Sequence, residues 1–185
     1  MKQIVLKFGL ISGAIFVAMM VTTMPFMDQI GFQYGEIIGY TSLVVAFLFV
    51  FFGIRSYREN VGNGYITFGR AFKVGILITV IACLCYVISW QIIYYGFVPD
   101  FGEKYSQYLI EKSRAAGASP EQIANEAAEM QRFWAIYKNP VYNFLITFFV
   151  EPFPVGLLIT VISALILRKR RPEEVPPQAE LVSNP

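Results

Sequence analysis

The chain has 185 residues, of which 56% are hydrophobic and only 15% are charged, and its formal net charge is +2. The charged share is well below the roughly 25% of an average soluble domain, which makes an ordinary soluble fold a poor fit and indicates a membrane protein. The sequence has no histidine, the commonest transition-metal ligand and the commonest general base at neutral pH. A zinc hydrolase and a Ser-His-Asp enzyme are therefore excluded, and we predict no cofactor, no metal site and no enzymatic activity.

The first predicted element is a membrane-spanning helix over residues 8–26. This block is uncharged and about as long as the ~20 residues that cross a bilayer. Lysines precede it, as in a signal peptide, but no cleavage motif follows and the apolar run is long, so we expect a retained span. Gly9 and Gly13 form a GxxxG pattern, which favours the close approach of another helix.

The second predicted span covers residues 37–54, another apolar block without charge. Gly35 and Gly39 repeat the GxxxG spacing at its start. Either glycine pair could serve a helix pair within one chain or a homo-oligomer, and the sequence leaves both open.

The connection from the second to the third span, residues 51–76, reads FFGIRSYRENVGNGYITFGRAFKVGI. After its Gly-Asn-Gly turn, one helical face carries Tyr65, Phe68, Phe72 and Gly75, which predicts an amphipathic lead-in on the membrane surface before the third span, residues 74–98. Four basic side chains are candidate contacts for lipid headgroups: Arg55, Arg58, Arg70 and Lys73. The alternative is a generic topological anchor, because such charges flank the spans of any multi-span protein.

This connection also carries a family resemblance. The stretch from Gly53-Ile54-Arg55 through Tyr57-Arg58 to the run GYITFGRAFKVG at 64–75 resembles the bacterial membrane-protein family catalogued as domain of unknown function 4199. The likeness extends over almost the whole chain: a short N-terminus, four spans, this loop and a helical insertion before the last span. It implies an integral inner-membrane protein of unassigned activity, with no known site residues to transfer.

The insertion between the third and fourth spans, residues 100–138, predicts a hairpin of two helices. Ser119-Pro120 with Gln122 has the pattern of a helix N-terminus. Four aromatic residues recur at helical spacing: Tyr105, Tyr108, Trp134 and Tyr137. They form either a surface for an extracytoplasmic or membrane protein partner, or an interfacial layer that covers the ends of the spans. The charges of the insertion nearly balance, so we expect no nucleic-acid partner.

The fourth predicted span, residues 141–167, contains Glu151 followed by Pro152 and Pro154. Each proline lacks an N–H donor, so the span should break there and release backbone carbonyl groups. Glu151, together with Glu36 and Asp28, could form a cation or proton site, because an acid within a span is a functional candidate. Alternatively, the span is simply long, and its outer part is a kinked entry segment.

The distribution of basic residues predicts the orientation. One side of the membrane would carry Lys2, Lys7, Arg55, Arg58, Arg70, Lys73 and the run Arg168-Lys169-Arg170-Arg171. The positive-inside rule then places both termini in the cytoplasm of a bacterial cell. Residues 172–185 are proline- and glutamate-rich, and we predict that they form a disordered cytoplasmic tail.

The sequence as a whole predicts an all-α protein in which residues 1–171 form a single four-span bundle with an extracytoplasmic two-helix insertion. Its partner is first of all the lipid bilayer. We expect a non-enzymatic structural or interaction protein of the inner membrane. The alternative is a small channel or transport component that uses Glu151 and the broken fourth helix.

Overall fold

The structure is a computed structural model, and it describes residues 1–169. All regular secondary structure within this range is helical. The helices are α1 (Lys2–Thr23), a 3₁₀ turn (Met24–Phe26), α2 (Met27–Ile30), α3 (Phe32–Asn60), α4 (Phe68–Gly96), α5 (Phe101–Ala115), α6 (Pro120–Tyr137), α7 (Pro140–Val150) and α8 (Pro152–Leu167). The predicted tail at 172–185 lies outside the described residues.

Four helical stretches of the described chain are long and apolar enough to cross a membrane: Lys2–Ile30, Phe32–Asn60, Phe68–Gly96 and Pro140–Leu167. Their mean hydropathy lies between 2.1 and 2.4. These stretches confirm the predicted helical membrane bundle. The helices extend past the predicted spans at several ends, because polar residues that flank an apolar block can continue its helix.

The helix that contains the third span begins at Phe68 and continues unbroken to Gly96. Thr67 is its N-cap, and the Thr67 hydroxyl accepts a hydrogen bond from the N–H of Arg70. The helical face of the predicted lead-in began at Tyr65, but the helix begins three residues later, because the turn and the Thr67 cap determine its start. Tyr65, which was expected on the face of that lead-in, lies in the turn.

Helix α4 is the centre of the bundle and packs against α1, α3 and α8. Small residues permit these close approaches. Gly9 and Gly13 of α1 lie against Ile81 and Cys85 of α4, where an added Cβ would come within 2.8 Å and 2.6 Å of those side chains. The first GxxxG pattern is thus used inside one chain. Gly39, in contrast, has no atom within 4 Å of an added Cβ.

Helices α5 and α6 form the predicted hairpin. Ser119 and Gln122 make a complete capping box, and Gly117 ends the first helix with a φ of +88°. We call the end of the bundle that carries α5 and α6 the hairpin end. The opposite end, where α3 and α8 finish and α4 begins, is called the basic end.

Candidate functional site

The fourth span is broken at Glu151, as the prolines predicted. Helix α7 ends at Val150 and α8 begins at Pro152, so Glu151 is the junction between two helices. The N–H of Glu151 makes only a long hydrogen bond of 3.4 Å to the carbonyl oxygen of Thr147. The hinge places the Glu151 side chain at the surface of the bundle, beside α4.

Tyr86 of α4 is the hydrogen-bond partner of this carboxylate. Its hydroxyl donates to Oε2 of Glu151 at 2.7 Å. The Tyr86 ring is itself fixed in the core, where it packs edge-on against Phe16 at a centroid distance of 5.3 Å. The acid at the hinge therefore has a fixed partner, which sequence reasoning missed because the two residues are 65 positions apart.

A polar row continues from Glu151 toward the hairpin end. Asn143, Thr147 and Glu151 are spaced by four residues, so they share the face of the fourth span that packs on α4. The hydroxyl group of Thr147 lies 2.6 Å from that of Tyr137, which also accepts a hydrogen bond from the indole N–H of Trp90 at 2.8 Å.

Asn143 is the most unusual member of this row. It is fully buried, and neither its carboxamide nitrogen nor its carboxamide oxygen has a hydrogen-bond partner among the described residues. Buried amide groups in proteins are nearly always satisfied, commonly by ordered water when protein partners are lacking. Nothing in its sequence context singled out this residue.

The structure places the other two predicted acids elsewhere. Glu36 accepts a hydrogen bond from the Tyr105 hydroxyl at 3.0 Å, and Asp28 pairs with Lys104 at 3.2 Å. Neither is joined to Glu151 by a hydrogen bond. Within residues 1–169 no group of three or more acidic, histidine or cysteine side chains is arranged to hold a metal ion.

Burial, the hydrogen bond to Glu36 and the negative charge of that residue together raise the pKa of Tyr105 to about 12. The Tyr105 hydroxyl therefore stays protonated at neutral pH and acts as the donor. Asp100 and Asp28 raise the pKa of Lys104, which stays positively charged. These contacts attach α5 to α2, which contains Asp28, and to the start of α3, which contains Glu36.

The predicted aromatic residues of the hairpin face inward to different degrees. Tyr105 and Tyr108 both pack on Phe32 at centroid distances of 5.4 Å, and the indole N–H of Trp134 donates to Ser106 at 2.7 Å. Tyr137 is only 5% exposed, so it cannot belong to an exposed partner surface. Burial raises its pKa to about 12 although the Thr147 and Trp90 hydrogen bonds oppose the shift. Tyr105, Tyr108 and Tyr137 thus pack against helices that are able to span a membrane.

At the basic end, the predicted headgroup residues have different surroundings. Arg55 pairs with Glu59 at 2.9 Å, and Arg58 contacts both Glu59 at 3.3 Å and the carbonyl oxygen of Leu167 at 3.5 Å. Lys73 is exposed.

Arg70, in contrast, lines a cavity of about 1110 Å³ with Arg168 and Lys169. The last two were missed as site residues because they lie 98 or more positions away from Arg70.

A bundle of four helices able to span a membrane, with a polar hinge in one span, defines a multi-span α-helical membrane protein. The family model described as "Protein of unknown function (DUF4199)" matches residues 7–169. The chain belongs to this family, as the resemblance indicated. No curated protein and no solved structure matches the chain.

Proposed function

We propose that this protein is a non-enzymatic structural or interaction protein of the bacterial inner membrane. Both termini would lie in the cytoplasm, and the α5–α6 hairpin would lie on the extracytoplasmic side. The distribution of charge supports this orientation, because Arg70, Arg168 and Lys169 gather at the end opposite the hairpin.

The observation that carries the proposal is the attachment of the hairpin. Its inner face is held by the Tyr105–Glu36 hydrogen bond, by the Lys104–Asp28 ion pair and by Tyr137. Its outer face remains exposed and bears charges of both signs: Glu111, Arg114, Glu121, Glu129 and Arg132. A rigidly mounted, charged surface of this kind suits recognition of another protein and supplies no reactive group pair.

The recognition role is tested with a surface variant that leaves the inner face intact. Arg114→Glu combined with Arg132→Glu reverses two exposed charges, and Glu151→Gln serves as the comparison. We expect the surface variant to lose the proteins that cross-link to the wild type in intact membranes, while Glu151→Gln retains them. Recovery of the same cross-linked proteins, in equal amounts, from the surface variant and from the wild type would contradict the proposal.

Orientation is tested separately by labelling single cysteines. Asn63→Cys in the turn before α4 and Ala118→Cys between α5 and α6 are introduced after Cys83 and Cys85 are replaced by alanine. A reagent that cannot cross the membrane should label position 118 in intact cells and position 63 only after lysis. The reverse pattern would overturn the assigned sides.

The second candidate is a small channel or transport component with a proton or cation site at Glu151. The Glu151–Tyr86 hydrogen bond at the hinge favours it, and so does the unsatisfied carboxamide of Asn143 on the same face. Carboxylates at broken helices are common components of such sites.

Ion flux tests this candidate. Purified protein in liposomes with a pH-sensitive dye is exposed in turn to proton, sodium and potassium gradients. This function requires a flux that Glu151→Gln abolishes and that a neutral change such as Tyr142→Phe, at an exposed site, leaves intact. No flux from folded protein would remove the candidate and leave the hinge as a kink in a long span.

A further inference from the structure

The cavity at the basic end lies where three spans meet. Its walls come from the end of α3, the turn at residues 61–67, the first turn of α4 and the segment that follows α8. This last segment is joined to the turn by two backbone hydrogen bonds of 2.9 Å between Ile66 and Lys169. The cavity is therefore bounded by backbone on several sides and open to the surface, and a cavity of this size accommodates a small ligand or a lipid headgroup.

The charge of the cavity is one-sided. Arg70, Arg168 and Lys169 line it, and none of the lining residues within 1–169 is acidic. The nearest acid along α3, Glu59, is held by Arg55 and Arg58. Three positive charges are thus gathered in one place without a carboxylate among the lining residues to neutralise them.

The backbone adds to the same preference. Helix α4 has 29 residues, and its first residues, Phe68 and Gly69, line the cavity. The start of a helix carries a partial positive charge and N–H groups without partners in the helix, and both favour an anion. Tyr57, which is only 6% exposed, also lines the cavity, and its hydroxyl makes no hydrogen bond among the described residues.

We infer that this cavity binds a phosphate group, held by Arg70, Arg168 and Lys169 and by the start of α4. The planar guanidinium group of arginine donates paired hydrogen bonds to two oxygens of a phosphate group, and basic pockets between the ends of spans suit phosphorylated headgroups. Such a phosphate can come from an anionic phospholipid of the adjacent leaflet or from a soluble phosphate compound. The site shares no residue with the hairpin or with Glu151. A negative result for this site would therefore not count against the proposed function.

The test compares two triple variants that remove the same charge. The first changes Arg70, Arg168 and Lys169 to glutamine, and the control changes Lys2, Lys7 and Lys138 to glutamine. All six side chains are exposed, so neither variant disturbs the core. A single Arg70→Gln variant provides a third protein with minimal change.

Each full-length protein is placed in nanodiscs of phosphatidylcholine with a small fraction of phosphatidylglycerol, and the lipid retained after extraction is counted by native mass spectrometry. We expect the triple variant at Arg70, Arg168 and Lys169 to retain about one tenth as much anionic lipid as the wild type, because three charge-assisted contacts are removed. The control should change little, and Arg70→Gln should fall between them. An equal loss in both triple variants, or no loss in either, would overturn a specific site.

A second arm identifies the source of the phosphate. Thermal unfolding of the wild type is measured in pure phosphatidylcholine discs with inorganic phosphate and, as a reference, with a chloride salt of equal ionic strength. The same measurement is made in discs that contain phosphatidylglycerol, without added phosphate. Stabilisation by phosphatidylglycerol alone assigns the cavity to a headgroup, whereas stabilisation by inorganic phosphate as well assigns it to a soluble compound. No response of the wild type to either one refutes the phosphate site.

Discussion

Replacing Tyr137 by phenylalanine tests whether the hairpin is fixed to the spans by its buried hydroxyl group. This hydroxyl accepts the Trp90 indole N–H at 2.8 Å and lies 2.6 Å from the Thr147 hydroxyl. The exposed fractions are 5% for Tyr137, 7% for Trp90 and 1% for Thr147, so water cannot readily replace the lost partner. Each hydrogen bond contributes about 1 kcal/mol net, and a buried donor left without a partner costs about 1 to 3 kcal/mol. We therefore expect Tyr137→Phe to lower the free energy of unfolding by about 2 to 4 kcal/mol.

The assay is reversible unfolding in mixed micelles, followed by far-ultraviolet circular dichroism so that changes at Trp90 do not alter the signal. Tyr142→Phe is the matched control, because the Tyr142 side chain is 54% exposed. The double variant with Trp90→Phe should cost less than the sum of the single changes, since it leaves no indole donor unsatisfied. A Tyr137→Phe protein that unfolds like the Tyr142→Phe protein, or strictly additive costs, would refute the reasoning.

Three further predictions concern the spans and the hairpin. Gly156→Ala should lower stability measured in the same assay by roughly 1 to 3 kcal/mol, because the added methyl group would overlap facing side chains of α3 and α4, whereas Gly39→Ala in open space should not. Ser119→Ala should cost about 1 kcal/mol by removing the capping box, and faster hydrogen exchange at the start of α6 would report it. The raised pKa of Tyr105 means that folding favours the protonated hydroxyl, so its contribution is fully present below pH ~10 and is lost as the pH rises toward about 12. Stability measured by thermal unfolding over this range should fall less in Tyr105→Phe than in the wild type, and an identical fall would contradict the assignment.

The parts of the fold that depend on local chemistry could be predicted from the sequence. Uncharged stretches of membrane length must be helical, because lipid offers the backbone no hydrogen bonds. Pro152 and Pro154 cannot donate one, so the break at Glu151 followed from the residues alone. The capping box of Ser119 and the positive φ of Gly117 are likewise set by neighbours within a few positions.

The contacts of the candidate site could not be predicted, because they depend on how distant helices are aligned. Tyr86 meets Glu151 only when α4 and the fourth span pack in one particular register. The sequence left open whether Tyr137 lies on a partner surface or in a layer over the ends of the spans, because an amphipathic stripe does not reveal whether it faces lipid, a partner or the chain itself. The start of α4 was misplaced for a related reason: the spacing of Tyr65 described a possible helix, while the Gly-rich turn and the Thr67 cap determined where the helix begins.

The two ends of the bundle differ in the contacts of their polar and charged side chains. At the hairpin end, the Tyr137 hydroxyl joins α6 to α4 through Trp90 and to α7 through Thr147, whereas the buried carboxamide of Asn143 has no partner among the described residues. At the basic end, the exposed side chains of Arg70, Arg168 and Lys169 line a cavity, and an anion bound there would interact favourably with all three. This difference fits a hairpin end that supports the structure and a basic end that binds an anionic ligand. The phosphate experiment and the Tyr137→Phe measurement examine these two ends independently.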